Sequence, residues 1–120
     1  MLADDSGIEV DALQGAPGVR TARWAAGRHV EKLLEALDGI SDRGARYACV
    51  LVLADGLREV QGIGVLRGTI ADRPAGGEGF GFDPVFVPVG RTQTVAELGD
   101  AWKSRHSHRA LAARELLSRL

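Results

Sequence analysis

The sequence predicts an α/β domain, a mixed and twisted sheet with flanking helices packed on it. Three observations predict that class. Tyr47-Ala48-Cys49-Val50-Leu51-Val52-Leu53 is a continuous apolar run rich in strand formers, and Asp55-Gly56 turns it into a partner strand over Arg58 to Ile70. Val30, Leu33, Leu34 and Leu37 fall at i, i+3, i+4 and i+7, the apolar stripe of a helix over 29–38. Ala110, Ala113, Leu117 and Leu120, widened by Leu116, give a second amphipathic helix over 108–120.

In chain order, Ala3-Asp4-Asp5-Ser6-Gly7 reads as strand, sharp acidic turn, strand, with Ile8-Glu9-Val10-Asp11-Ala12 alternating after it. Adjacent carboxylates repel, so such a pair is stabilised by a metal, by a shared proton or by solvent. Gly15-Ala16-Pro17-Gly18 closes this segment as a tight turn, and Val19 to Gly27 shows no clean period beyond a single helical turn. The helix over 29–38 reads as packing, with Glu31, Lys32 and Glu35 on its wet side and Gly39 as its stop. The 47–53 strand has no polar alternation and is expected to be covered on both faces. Gly62, Gly64 and Gly68 in the returning strand mark bulges, or a surface that something large approaches.

Ala75 to Asp83 mixes four glycines with Phe80 and Phe82. Glycine beside an aromatic lets a ring stand clear of the backbone, where it can stack on a nucleobase; the alternative is that both rings plug the core. No lysine completes a phosphate-cradling GxxxxGK[ST] loop. Thr94 with Glu97 forms a capping-box pattern, and Ser107 is the natural N-cap of the last helix. Lys103, Arg105, His106, His108 and Arg109 gather ahead of that helix. Cations at a helix N-terminus oppose the macrodipole, and a bound anion there would reverse the sign; a solvated polar connector is the plain alternative. His106 and His108 as a metal pair lack a third ligand nearby.

Bulk properties narrow the classes. The 120 residues form a single domain, 1–120, with 45% hydrophobic and 26% charged residues, an ordinary globular balance. A formal charge of -1 argues against a general nucleic-acid binder. Cys49 is the only cysteine, so no intrachain disulfide can form, and it is expected to be an inert core residue. Neither a signal peptide nor an apolar run of ~20 residues is visible, so no membrane partner and a cytoplasmic location are expected.

Taken in order, several stretches resemble the inosine triphosphate pyrophosphatases, which act on non-standard purine nucleotides. They are Ala3-Asp4-Asp5-Ser6-Gly7, Gly15-Ala16-Pro17-Gly18, Ala22-Arg23, Gly79-Phe80-Gly81-Phe82-Asp83-Pro84, Ala96-Glu97-Leu98, Lys103 and Ser107-His108-Arg109. The resemblance implies an enzyme with that family's α/β fold, hydrolysing ITP, dITP or XTP to the monophosphate and pyrophosphate. It implies Mg²⁺ as cofactor, with Asp4 and Asp5 as metal ligands and Asp5 as the general base. It implies substrate contacts from Ser6, Phe80, Gly81, Phe82, Asp83, Lys103, His108 and Arg109. Phe80 would stack on the purine, Asp83 would accept a hydrogen from the ring, and Lys103, His108 and Arg109 would face the base edge and its O6. Donors aimed at O6 disfavour adenine, whose amino group leaves them unpaired.

The chain also departs from that family. The resemblance leads us to expect about a third more chain ahead of the acidic stretch, holding a Ser/Thr-x-Asn-x-x-Lys phosphate-binding motif and a metal-binding Glu. No equivalent lysine and asparagine stand at that spacing here, and the segment between Trp24 and the first helix is short. An N-terminally truncated fold is therefore the expectation, with impaired activity and self-association, as a homodimer, over the exposed sheet. The alternative function is a nucleotide-binding or assembly module without catalysis.

Overall fold

A computed structural model of the chain describes residues 1–21, 23–24, 27–77 and 80–120. Four strands form one sheet in the order β1 (Leu2–Val10), β2 (Gly44–Ala54), β3 (Glu59–Ile70) and β4 (Phe86–Pro88), every pairing antiparallel among the described residues. The helices are α1 (His29–Ala36), α2 (Val95–Leu98), α3 (Asp100–His106) and α4 (His108–Ser118). The α/β class with flanking helices is thus the one expected, while the described sheet is antiparallel rather than mixed.

The acidic stretch is not a turn. β1 runs unbroken through Asp4, Asp5, Ser6 and Gly7, because each residue pairs with β2: Asp4 with Leu51, Asp5 with Val50, Ser6 with Cys49 and Gly7 with Ala48. Ladder hydrogen bonds outweigh the turn preference of isolated Asp, Ser and Gly. The chain turns later, where Gly15 N–H donates to Val10 O and Val10 N–H to Ala16 O, and Glu9 bridges Pro17. Thr21 Oγ1 then donates to Gly18 O (2.5 Å) and accepts Ile8 N–H (3.0 Å), locking the 3-10 turn Gly18–Arg20 to β1.

The β2–β3 hairpin lies where Asp55-Gly56 placed it, but its loop spans Asp55 to Arg58 rather than two residues. Asp55 Oδ1 accepts the N–H groups of Leu57 and Arg58 (both 3.0 Å), and Gly56 takes a positive φ of 90°. β2 is covered on one face only. Ala45, Tyr47 and Cys49 are buried, while Arg46, Ala48 and Val50 on the alternate face stay half-exposed. The single layer of helix accounts for the difference: α4 packs on the face shared by Tyr47 and Cys49.

Gly62 and Gly64 explain how closely it packs. Their register with β2 is continuous, so they are not bulges. A Cβ at Gly64 would fall on the His108 carbonyl and Ala112 nitrogen, and one at Gly62 on the Ala112 carbonyl and Leu116 nitrogen. The large approaching object is α4 itself. This packing corrects the predicted helix face. His108, Ala112 and Leu116 are the buried row, while Leu117 and Leu120 point to solvent. A groove floored by glycine selects the row whose backbone can approach it, not the row with the most leucine.

The remaining core joins α1 to the sheet. Leu33 and Leu37 are fully buried with Ile8, Val10, Ala45, Phe82, Val85 and Phe86. Leu37 caps the helix, and Gly39, two residues on, takes a positive φ of 74° in the turn that follows. Arg43 ties the two ends, its guanidinium donating to the carbonyls of Leu37 (2.8 Å), Ile70 (3.1 Å) and Ala71 (2.9 Å). The capping box is formed as read: Glu97 N–H donates to Thr94 Oγ1 (3.2 Å) and Thr94 N–H to Glu97 Oε1 (3.0 Å).

Candidate active site

Asp4 and Asp5 are neighbours in sequence and lie on opposite faces of the sheet, because strand side chains alternate. Asp4 faces α4. Its carboxylate accepts Ser6 Oγ–H (2.8 Å) and the Cys49 thiol (3.6 Å), and it pairs with Arg109 Nε (3.4 Å). Arg109 Nε also donates to Ser6 Oγ (3.3 Å), so the acidic stretch and the basic cluster meet here. Asp5 faces the other way, into a groove of ≈ 450 Å³ with Gly7, Glu9, Val19 and Val50.

On the Asp4 face, a cleft of ≈ 620 Å³ opens beside the sheet. It is lined by Ser6, Phe80, Gly81, Phe82, Asp83, Lys103, His108 and Arg109, together with Tyr47 and Thr21. Every substrate-binding residue read from the sequence therefore borders one cleft. Ser6 and Gly7 border both the cleft and the groove, and β1 between them is an edge strand.

Asp83 is the buried centre of the cleft, 3% exposed. One oxygen accepts Tyr47 O–H (3.1 Å); the other accepts Phe80 N–H (3.0 Å) and Lys103 Nζ (2.5 Å). The Lys103 ammonium also sits 3.7 Å from the centre of the Phe80 ring, a cation–π arrangement. The two phenylalanines of the loop differ in exposure. Phe80 is 67% exposed and free to stack, whereas Phe82 is 3% exposed and packs in the core. Trp24 (centroids 6.3 Å) and an edge-on His29 (5.1 Å) hold the Phe82 ring.

The basic cluster is split between two helices. Lys103, Arg105 and His106 lie in the last turn of α3, where cations complement the macrodipole; only His108 and Arg109 begin α4. Ser107 separates them as the cap, its Oγ accepting Ala110 N–H at 3.1 Å. His106 stacks on Trp102 while His108 stacks on Tyr47, so the two histidines do not converge on a metal. Burial pushes the His108 pKa down to about 4, assisted by Arg109, so its imidazole is neutral at pH 7. Desolvation raises the Cys49 thiol in the same way, as an inert core cysteine requires.

Mg²⁺ suits hard oxygen ligands and commonly takes one or two carboxylates together with substrate phosphates. Asp5 fits that role: it is exposed and has no ion-pair partner among the described residues. Asp4 is directed to the opposite face and held by Arg109 and Ser6, so the pair does not converge. Among the described residues no group of three His, Cys, Asp or Glu side chains could hold a metal alone.

Four contributors carried no local signal. Tyr47 read as a strand residue, Cys49 as core, Thr21 as part of an irregular segment and His29 as the start of a packing helix. Their roles come from residues distant in sequence: His29 Nε2, for example, donates to Gly81 O at 2.9 Å. Ala22, Glu78 and Gly79, which belong to the stretches read above, lie outside the described residues.

The sequence profile of the Ham1 family matches residues 1–119. The chain is 47% identical to a dITP/XTP pyrophosphatase of Rhodospirillum centenum over 127 residues, covering 98% of this chain and 63% of that protein. It is 48% identical to a dITP/XTP pyrophosphatase of Gloeobacter violaceus over 122 residues, covering 98% and 62%. The structure superposes on the Staphylococcus aureus Ham1 protein with a TM-score of 0.90 at 37% identity, over 98% of this chain and 64% of that one. A HAM1 protein from Coxiella burnetii gives 0.90 at 38% identity, over 99% and 67%. The chain thus spans less than two thirds of the length of the curated relatives that it matches. A profile match over nearly every residue, with the same fold at these identities, means that this chain belongs to the Ham1 family.

Proposed function

We propose that this chain carries the base-recognition cleft and the general base of a nucleoside triphosphate pyrophosphatase for ITP, dITP and XTP. One observation carries the reading. The cleft joins an exposed ring, Phe80, to the buried polar groups of Asp83 and His108 and the half-buried Lys103, and shares Ser6 and Gly7 with the groove of Asp5. A nucleotide lying over the β1 edge would place its base in the cleft and its phosphates toward Asp5. The names of the relatives above give two of these substrates, dITP and XTP.

In this reading Phe80 stacks on the purine, and Lys103, which lies over the Phe80 ring, is held by its ion pair with Asp83. Asp83 accepts a ring N–H, while Lys103, His108 and Arg109 address O6. Asp5 takes the proton of a water whose oxygen attacks the α-phosphorus. The bond from the α-phosphorus to the bridging oxygen breaks, and pyrophosphate leaves. Mg²⁺, held by Asp5 and substrate oxygens, would neutralise phosphate charge. A cytoplasmic location accords with such substrates, and no described helix is long and apolar enough to cross a membrane.

A second reading, a nucleotide-binding module without hydrolysis, is favoured by one feature: Asp4 and Asp5 serve different faces, and the groove's other carboxylate, Glu9, is paired with Arg46. Pyrophosphate release from ITP and ATP with Mg²⁺, on the purified 120-residue chain, separates the two. Turnover of ITP in preference to ATP is expected. A folded chain that binds ITP without turnover gives the second reading, and one that binds neither nucleotide overturns both.

A further inference from the structure

We propose that Tyr47 is the positioning residue that sets base selectivity in the cleft, its ring aligning His108 and its hydroxyl aligning the Asp83 carboxylate. This inference rests on the base-recognition reading above.

Tyr47 lies on β2 and is 8% exposed. Its ring packs against Phe86 (centroids 4.5 Å) and stacks on the His108 imidazole at 4.7 Å with only 10° between the planes. That stack decides the imidazole's orientation, because the buried His108 Nδ1 has no hydrogen-bond partner to fix it. Imidazole rings in binding sites are ordinarily oriented by a bond to the second nitrogen. Here a parallel aromatic face substitutes for that bond. The groups around His108 are Arg109, Asp83, Lys103 and Asp4, and with burial they leave it neutral at pH 7.

The hydroxyl acts at the other side of the cleft. Phe80 N–H and Lys103 Nζ both approach Asp83 Oδ2, whereas Tyr47 O–H approaches Oδ1. Of these three donors Tyr47 alone holds Oδ1, so it adds to the other two a restraint against rotation of the carboxylate about Cβ–Cγ. A core position facing Phe86 needs only the ring; the hydroxyl donates to a functional group of the cleft, the Asp83 carboxylate.

Selectivity follows from purine chemistry. A 6-oxo purine carries N–H at the ring position next to O6, whereas adenine carries a lone pair there. A carboxylate held in one plane favours the first and repels the second. One that can rotate discriminates less.

The test compares Tyr47→Phe, which keeps the stack and removes the hydroxyl, with Tyr47→Leu, which removes both. Tyr47→Phe should lower the preference for ITP over ATP roughly 5- to 20-fold, in Kd or KM rather than in kcat. Tyr47→Leu should lower it further. Equal weakening of both nucleotides by Tyr47→Phe would mean that the residue is only core packing, and overturns the proposal. A second measurement needs no nucleotide: ¹⁵N resonances of the His108 ring and of Lys103 Nζ. Tyr47→Phe should move Lys103 and leave His108 in place, and Tyr47→Leu should move both. Unmoved resonances in both variants overturn the positioning role, even where the wild type binds no nucleotide and the functional reading has failed on its own. Should Tyr47→Leu not fold, Tyr47→Phe alone decides, since a still Lys103 signal is by itself contrary to the hydroxyl's role.

Discussion

Each carboxylate of the acidic pair has a separate environment, and the residue-scale predictions follow from that separation. Asp5 is exposed in its own groove, so Asp5→Asn removes a base without removing a structural contact. Loss of turnover with an unchanged melting temperature is expected; an active, folded variant would take Asp5 out of the mechanism. Arg109 is half-exposed and binds Ser6 and Asp4 at the cleft wall. Arg109→Ala should weaken ITP more than ATP, by about tenfold for one charge-assisted contact, and titration of both nucleotides checks it. Equal losses would show that Arg109 does not read the base. His108 gives a pH dependence whose sign is fixed. Its pKa is about 4 when folded and near 6.5 when unfolded, so the unfolded chain binds more protons between those values. Stability from this group is complete above about pH 6.5 and is lost as pH falls toward 4, on the order of 2–3 kcal/mol. Urea unfolding at several pH values should show that fall, and His108→Asn should flatten it.

Elements are positioned by surfaces as much as by their own periodicity. α4 was legible as a helix, with Ser107 as its cap, because capping and amphipathic spacing are local. Its buried face was not, because the glycine groove of β3 lies over forty positions away and chooses the His108, Ala112, Leu116 row. The same groove sets the height of His108 in the cleft. Gly64→Ala should therefore displace α4, costing about 1–3 kcal/mol as overpacking does, and should weaken ITP binding as well. Gly77→Ala is the control, since a Cβ there meets nothing within 4 Å. If Gly64→Ala left both stability and binding unchanged, the close helix approach would have no energetic weight.

Across the whole molecule, helices cover one face of the sheet and leave the other half-open. Ile63 is 48% exposed, with Val50, Val52 and Val65 half-buried around it, and β1 is an edge strand. Apolar surface beside an unpaired edge favours association, so we expect a concentration-dependent dimer in sedimentation equilibrium. A monomer at every concentration would rule out the homodimer. Local chemistry alone determined much of this protein: the hairpin at Asp55-Gly56, the Leu33 and Leu37 helix face, the Thr94 capping box and the residue types of the cleft. These depend on dihedral preferences and on neighbours within a turn or two, and the sequence displays both directly. Only the tertiary structure decided that Asp4 and Asp5 part to opposite faces, that Phe80 stands out while Phe82 is buried, and that Tyr47 reaches Asp83 across 36 positions and Arg109 reaches Ser6 across 103. Such contacts depend on strand register and on the approach of α4 to β3, and no spacing within a short window encodes either.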